Sequence, residues 1–371
     1  MLTVINLFNV IDTNEVTPFN LFVHSIIHSI ASKRPEDEFV VLNSTDKMVN
    51  HYLPNVKSHL IELPKKNSLT AYRYQRFVLP SIVREMKPDL LIEANGISFR
   101  TRKVPQLVLL DEKKIYNSRK LYHKLLFPVS VKYATKVVSF TANTAKEWTN
   151  KYPDSSAKSV QLNYAAGNHF FVHDEIEIQK VRDGYTDNRP YFSWFCDETN
   201  EAQWEDVLKA FSLFKKWQHS NMKLLIIGYS NMHIIHLKLR NYKYKDDVVL
   251  VSNPDEHVSS RLIAASYAMI YPAKLTYLPL PVLQAISCNT PVIVNKTVAD
   301  AVNNNAAFYW TEIAENESLS KQMILCYKNE EFRKGIIDEA SKVGKKYLYN
   351  KLINQFDGLM NEVVKYDIEY K

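Results

Sequence analysis

The residues best placed to do chemistry lie in one stretch, Tyr271–Val294, which reads YPAKLTYLPLPVLQAISCNTPVIV. Within it, Lys274 carries a positive charge, and the side chains of Thr276 and Gln284 can hydrogen-bond hydroxyl groups. Pro281 stands where the first turn of a helix tolerates proline, and a helix N-terminus at the carboxyl edge of a sheet attracts anions. The stretch therefore predicts a site for an anionic ligand.

The elements that must position this site can be read from the same stretch. Ala268–Tyr271 is an apolar run of strand length, and Pro272 ends it. A helix with an apolar face follows the loop, and Asn289 is a suitable left-handed residue at its C-terminus. Val292–Val294 then reads as the next buried strand, so the pattern predicts a strand–loop–helix–strand unit.

This unit resembles the donor site of the family 4 nucleotide-sugar glycosyltransferases, whose two-domain architecture is called GT-B. Their pattern is Pro-Ser, two residues, Glu-Gly-Phe-Gly-Leu-Pro-x-x-Glu-Ala, then a short run into Gly-Thr-Pro-Val. The family's two glutamates fall on Thr276 and Gln284, and its glycines on Tyr277, Pro279 and Asn289. The residues that fit the pattern are Pro272, Leu280, Pro281, Val282, Leu283, Ala285, Cys288, Thr290, Pro291 and Val292.

The resemblance implies transfer of a sugar from a nucleotide-sugar to an acceptor hydroxyl, with retention of anomeric configuration. In relatives a basic residue and a lysine bind the donor diphosphate, but the corresponding positions here hold Asp197 and Ala202. Lys274 and Arg261 are the candidates to replace that charge, and Thr276 takes the position of the first glutamate in the catalytic site. The donor-binding residues implied are Asp197, Gly228, Ser252, Asn253, Lys274, Tyr277, Leu278, Pro281, Val282 and Gln284.

Asp111 is the second catalytic candidate. It follows a predicted strand, Val108–Leu110, where relatives commonly have a His-Asp pair whose His contacts the sugar. An inverting enzyme of the same fold would use such a carboxylate as a base. The alternative interpretation is a helix-capping or loop aspartate.

The chain as a whole predicts an α/β protein of GT-B type, with two Rossmann-like domains whose parallel sheets face each other across a cleft. The expected domains are an acceptor domain over residues 1–175 and a donor domain over residues 176–371, with a polar hinge at Asp174–Arg189. Segment 347–366 corresponds to a helix that in relatives crosses back to the first domain.

Composition excludes several classes of protein. Seven glycines in 371 residues, against an average of ~7%, argue against a P-loop or a dinucleotide fingerprint. His24 and His28 lack a third ligand, and three scattered cysteines form no zinc motif, so we expect no metal and no cofactor beyond the nucleotide-sugar. The N-terminus has no signal-peptide pattern, and no apolar run is long enough to span a membrane, which predicts a cytoplasmic protein.

Two segments, Lys65–Lys87 and Lys113–Lys136, are both basic and aromatic. They are compatible with peripheral contact to the inner face of a membrane and a lipid-linked acceptor, or with ordinary surface helices. Pro80 and Pro128 interrupt them, and no nucleic-acid-binding module accompanies their charge.

The favoured function is a glycosyltransferase acting on a glycan or lipid-linked glycan in cell-envelope polysaccharide synthesis. The main alternative is an inactive relative that binds and stabilises an active transferase. A more distant one is another two-domain Rossmann-like protein, such as an epimerase or a periplasmic binding protein.

Overall fold

The computed structural model describes residues 1–7, 18–43, 53–61, 73–94, 96–101, 104–111, 127–128, 131–197, 200–229, 232–312 and 315–369. The chain divides into two compact units, the first comprising Met1–Tyr164 with Asn350–Lys371 and the second Ala165–Tyr349. Each unit is built on its own sheet of parallel strands.

The first unit carries seven strands in the order β3-β2-β1-β4-β5-β6-β7. The apolar residues of the central strands are buried on both faces, as is usual when helices flank a parallel sheet. The strands are β1 (Leu2–Asn6), β2 (Glu38–Asn43), β3 (Val56–Leu60), β4 (Leu90–Glu93), β5 (Gln106–Leu109), β6 (Lys136–Ser139) and β7 (Ser159–Gln161), and the helices are α1 (Pro18–Lys33), α2 (Leu79–Met86), α3 (Ala142–Lys151) and, after the second unit, α12 (Tyr349–Glu369).

The second unit carries six strands in the order β10-β9-β8-β11-β12-β13. The strands are β8 (Tyr191–Cys196), β9 (Lys223–Gly228), β10 (Val248–Ser252), β11 (Ala268–Tyr271), β12 (Val292–Asn295) and β13 (Tyr309–Thr311). The helices are α4 (Glu175–Thr186), α5 (Trp204–Gln218), α6 (His233–Leu239), α7 (Glu256–Ala264), α8 (Leu280–Ser287), α9 (Lys296–Ala301), α10 (Asn316–Lys328) and α11 (Glu330–Gly344).

The predicted α/β class with two parallel sheets is confirmed, and several local predictions need correction. Segment 174–189, expected to be a hinge, contains helix α4, because the Asp174 side chain caps its N-terminus by accepting a hydrogen bond from the Glu177 N–H at 2.8 Å. The change of unit falls earlier, between Tyr164 and Ala165. The polar composition of segment 174–189 therefore belongs to a surface helix and does not mark a linker.

Pro80 does not interrupt the helix that contains it. A π-helical turn at Tyr74–Val78 runs directly into α2, and Pro80 lies in the first turn of that helix. A wider turn accommodates a residue that cannot donate a backbone hydrogen bond. Residues 65–72, 113–126 and 129–130 of the two basic segments lie outside the described residues.

The terminal helix α12 packs in the first unit. Arg34, just after α1, forms an ion pair with Asp357, with Nε and Oδ1 2.6 Å apart, and Lys136 Nζ lies 2.8 Å from Glu362 Oε1.

Among the described helices, none combines the length and the apolarity that crossing a bilayer requires.

A buried ion pair fastens α5 to the edge of the second sheet. Lys215 Nζ lies 2.9 Å from Asp247 Oδ2, and the Lys215 side chain is 8% exposed. The same ammonium group donates hydrogen bonds to the carbonyls of Ser220 and Met222. Arg189 also pairs with Asp247, at 3.1 Å.

We predict that Asp247→Ala lowers the free energy of unfolding by about 2–3 kcal/mol, because it leaves the Lys215 charge buried without its counterion. The measurement is the shift of the urea transition. Glu205→Ala is the control: it removes an exposed partner of Lys209 on the same helix, which is expected to contribute less than about 0.5 kcal/mol. Equal shifts for the two variants would contradict the buried ion pair as a stabilising contact.

Candidate functional site

The candidate donor site lies at the carboxyl edge of the second sheet. The strand order reverses between β8 and β11, and ligands of open α/β sheets bind outside the carboxyl ends of the strands at such a point. Asp197 follows β8, and Tyr271 is the last residue of β11. The loop after β11 leads into α8, so the sheet brings the predicted residues of both segments to one edge.

The loop and helix after β11 divide into an exposed part and a buried part. Lys274 and Thr276 are exposed, and Tyr277 is half-buried. The side chains that follow are buried; among the predicted residues these are Leu278 in the loop and Pro281, Val282 and Gln284 in α8. Of the predicted polar residues, Lys274 and Thr276 are therefore accessible to a ligand, whereas Gln284 is only 6% exposed.

The N-terminus of α8 offers few hydrogen-bond donors to an anion. Pro279 occupies the N-cap position and Pro281 the first turn, and neither has a backbone N–H. The N–H groups of Val282 and Leu283 both donate to the Pro279 carbonyl, at 3.1 and 3.2 Å. The helix dipole still favours a negative ligand there, but the number of N–H groups that could bind it is small.

The C-terminus of α8 follows the sequence expectation. Asn289 is left-handed, with φ 55°, and the Thr290 N–H donates to the Ala285 carbonyl at 2.9 Å. The Thr290 hydroxyl also donates to the Ile263 carbonyl, which ties the end of α8 to α7. These bonds turn the chain directly into β12.

Asp197 is buried in a hydrogen-bond network at the point where the strand order reverses. Its side chain is 2% exposed, and its Oδ2 accepts a hydrogen bond from the Tyr271 hydroxyl at 3.0 Å. The Asn200 amide lies 3.5 Å from its Oδ1 and also donates to the Phe195 carbonyl, while accepting from the Trp194 indole. Two strand ends are thus joined by polar side chains where relatives are expected to bind a diphosphate.

Apolar and aromatic side chains cover the neighbouring strand ends. Gly228 ends β9, and a Cβ on it would stand 2.5 Å from Met232 Sδ, so a larger residue there would displace the Met232 side chain. The Phe195 and Tyr229 rings stack, with centroids 5.1 Å apart. Ser252 and Asn253 lie at the exit of β10; both are exposed, and Asn253 is left-handed, with φ 48°.

The positive charges of this region lie on its surface. Lys274 is the one charged residue of loop 272–279. The Arg261 guanidinium is paired with Glu177 on α4, with Nη2 and Oε2 3.3 Å apart. Arg261 therefore stabilises the contact between α4 and α7, which leaves Lys274 as the candidate cation for a donor phosphate.

Asp111 lies in the first unit, two residues after β5, and is 5% exposed. It belongs to a set of polar residues at the carboxyl ends of that sheet. Asn6 ends β1, Glu93 ends β4 and Ser139 ends β6, and all three are buried. Burial raises the pKa of Glu93 well above its usual range, and the hydrogen bond from Asn6 opposes that shift only in part.

Sequence reasoning placed the loop and helix correctly and missed Tyr271, Asn200 and Glu93. Tyr271 reads as the last apolar residue of a strand, and its partner is 74 residues away in sequence. For Glu93, a carboxylate that ends an otherwise apolar strand was an available signal. Within the described residues, His, Cys, Asp and Glu form no group of three that could hold a metal ion.

The fold is that of the GT-B glycosyltransferases. Anabaena HepE, whose structure holds UDP and glucose, is 12% identical, with a TM-score of 0.72 over 97% of this chain and 99% of HepE. WaaG, a glycosyltransferase involved in lipopolysaccharide biosynthesis, is 13% identical, also with a TM-score of 0.72, over 97% and 99% of the two chains. A putative UDP-N-acetylglucosamine 2-epimerase from Listeria monocytogenes is 12% identical, with a TM-score of 0.60 over 92% and 94%.

Sequence similarity is narrower and falls in the second unit. Residues 199–343 match the family of glycosyl transferases group 1. No curated protein matches the chain in sequence. The predicted resemblance to GT-B glycosyltransferases is confirmed, and the family match favours a transferase over the epimerase that shares the fold.

We predict that Tyr271→Phe destabilises the second unit by about 1–3 kcal/mol, because it removes a hydrogen bond to a buried carboxylate. Urea unfolding measures the loss. Tyr327→Phe serves as control, because the Tyr327 side chain is 40% exposed. Water can replace the lost hydroxyl there. If Tyr271→Phe is as stable as this control, the contact with Asp197 does not stabilise the site.

Proposed function

We propose that this chain is a nucleotide-sugar glycosyltransferase, in which the second unit binds the donor and the first unit binds the acceptor. The observation that carries the proposal is the family match over residues 199–343, which includes the strand–loop–helix–strand unit around α8. The GT-B fold supports it, and UDP in the HepE structure supports a uridine nucleotide among the candidate donors.

The donor diphosphate is proposed to bind at loop 272–279, with Lys274 supplying the positive charge. A phosphate close to Asp197 is disfavoured, because two unit charges ~4 Å apart repel by ~4 kcal/mol at an effective dielectric of ~20. Lys274 is exposed, whereas Asp197 is buried, so the lysine is the accessible charge of the two. Thr276, also exposed, is proposed to hydrogen-bond the donor sugar in place of a glutamate.

Retention of anomeric configuration is proposed from the resemblance to family 4. Asp111 is proposed to contact the acceptor, a glycan or lipid-linked glycan. The role of WaaG in lipopolysaccharide biosynthesis supports an acceptor of the cell envelope.

We predict that one of UDP and GDP, or its sugar conjugate, binds the purified protein and that Lys274→Ala weakens this binding about tenfold, or ~1.4 kcal/mol. Isothermal titration calorimetry measures both affinities. Lys216→Ala is the matched control, because Lys216 is an exposed lysine near the end of α5, where the chain approaches the amino edge of the sheet.

Absence of binding at millimolar nucleotide would contradict the transferase. It would favour the second candidate, a catalytically inactive relative that binds and stabilises an active glycosyltransferase. The buried Asp197–Tyr271 pair favours this candidate, because it occupies the strand ends with a carboxylate instead of a cation. Unchanged affinity in Lys274→Ala, with nucleotide bound, would contradict only the assignment of Lys274.

Peripheral contact with an anionic membrane surface is proposed for the described part of the first basic segment. Phe77 is 61% exposed and Val78 42%, and the exposed Arg76 lies over the Phe77 ring at 5.9 Å. An arginine beside two exposed apolar side chains suits the boundary between headgroups and acyl chains. Such contact would place the protein at the inner face of the membrane.

We predict that the protein sediments with vesicles containing phosphatidylglycerol and that Phe77→Ser lowers the bound fraction severalfold. Vesicles of phosphatidylcholine alone are expected to bind less, because they carry no anionic headgroups to attract the arginine. The control is Trp217→Ser, which removes an aromatic side chain that is 46% exposed in the second unit. Equal losses in the two variants would contradict a membrane contact at Phe77.

A further inference from the structure

The first sheet has its own point of strand-order reversal, between β1 and β4. Asn6 and Glu93 are the last paired residues of these two strands and stand opposite each other in the register. Glu93 is 0% exposed. A carboxyl group therefore lies at the position in this sheet where open α/β sheets bind their ligands.

The hydrogen bonds of Glu93 locate its proton. Asn6 Nδ2 donates to Glu93 Oε2 at 2.8 Å, and Oε1 has no hydrogen-bond partner among the described residues. Burial raises the pKa of Glu93 well above its usual range, so the protonated acid is favoured at pH values where an ordinary glutamate is ionised. Because Oε2 accepts from the amide, the proton belongs on Oε1, and Glu93 is a hydrogen-bond donor there.

A second buried polar atom at this edge also lacks a partner. Ser139 ends β6, its side chain is 0% exposed, and its Oγ has no hydrogen-bond partner in the part of the chain that the structure describes. Asp111, after the intervening strand β5, is 5% exposed. Buried polar groups without partners cost stability, so the unsatisfied Glu93 Oε1 and Ser139 Oγ at one sheet edge point to a ligand that supplies the missing hydrogen bonds.

We infer that Glu93 is an acceptor-binding residue: as a neutral acid, it donates its Oε1–H to an oxygen of a sugar bound at the carboxyl edge of the first sheet. The inference rests on the proposed function, since it names a contact of the acceptor. Glu93 is the last residue of β4 and so stands at the edge of the sheet where the sugar is proposed to bind. An uncharged sugar oxygen suits a donor that carries no charge.

The test compares Glu93→Gln with Glu93→Leu. The glutamine can accept from Asn6 through its Oε1 and present its Nε2–H in place of the acid hydroxyl, whereas leucine has no donor. The probes are methyl glycosides of glucose, galactose, mannose and N-acetylglucosamine, titrated against the full chain by saturation-transfer NMR between pH 5 and 9. Carbon NMR of the glutamate side-chain carboxyls follows the protonation of Glu93 in the same samples.

The expected result is that one glycoside binds, that Glu93→Leu weakens it at least about tenfold, and that Glu93→Gln stays within about threefold of wild type at low pH. Wild type is expected to lose binding as the pH rises through the pKa of Glu93, and the glutamine variant is not. Because the folded state binds this proton more tightly than the unfolded state, wild type should also lose stability relative to Glu93→Gln as the pH rises above the unfolded-state pKa.

A structural role alone would give the stability difference without any change in glycoside affinity, and that result would overturn the inference. Failure of every glycoside to bind wild type would overturn it as well. Nucleotide affinity is measured in the same variants and is expected to be unchanged. This measurement separates the acceptor contact of Glu93 from the proposed glycosyltransferase function. Nucleotide binding without an effect of Glu93 refutes the acceptor contact, whereas glycoside binding without nucleotide binding refutes the transferase. If Glu93→Leu does not fold, the pH profiles of wild type and Glu93→Gln decide.

Discussion

The pairing of β8 with β11 is the constraint on which the second unit depends. These strands lie at the centre of its sheet, and their residues from Tyr191 to Cys196 and from Ala268 to Tyr271 are buried. Parallel pairing brings the carboxyl ends of β8 and β11 to the same edge of the sheet. The side chains that follow the two strands must therefore pack and hydrogen-bond with each other. Asp197 meets this requirement because the Tyr271 hydroxyl donates to it, and Asn200 holds the loop after β8 to the same strand.

The same constraint explains why the resemblance to the family 4 pattern holds at some positions of this stretch and fails at others. The matching residues of α8 are those that pack, and the helix lies so near α11 that a Cβ on Gly344 would stand 2.9 Å from Ile286. The positions that differ include the exposed Thr276 and the charged Asp197 at the carboxyl edge of the sheet. Packing and ligand chemistry are separate demands, so the scaffold can persist while the charge of the site changes.

Sequence patterns located most elements because their determinants are local. Strand β11 has the predicted bounds, Ala268–Tyr271, since it is an apolar run that Pro272 ends. Strand β12 begins at Val292 as predicted and extends to Asn295, because Asn295 still pairs with Thr311 of β13. The Asp197–Tyr271 bond was not predictable by this route, because strand order alone brings these residues together. Glu93 was visible as a residue, but its protonation depends on burial that only the fold supplies.

The two sheets share one topology and place a carboxyl group at the same point, yet the chemistry of the two groups is opposite. In the second sheet, Asp197 accepts from a phenol and lies beside an amide, so the protein itself satisfies the carboxylate. In the first sheet, Glu93 receives one hydrogen bond, from Asn6, and its burial favours the protonated acid, whose Oε1–H then lacks an acceptor among the described residues. A carboxylate at the edge of the second sheet repels an anion, whereas a neutral acid at the edge of the first sheet can donate a hydrogen bond to an uncharged oxygen. The two edges therefore differ in the chemical groups that they favour.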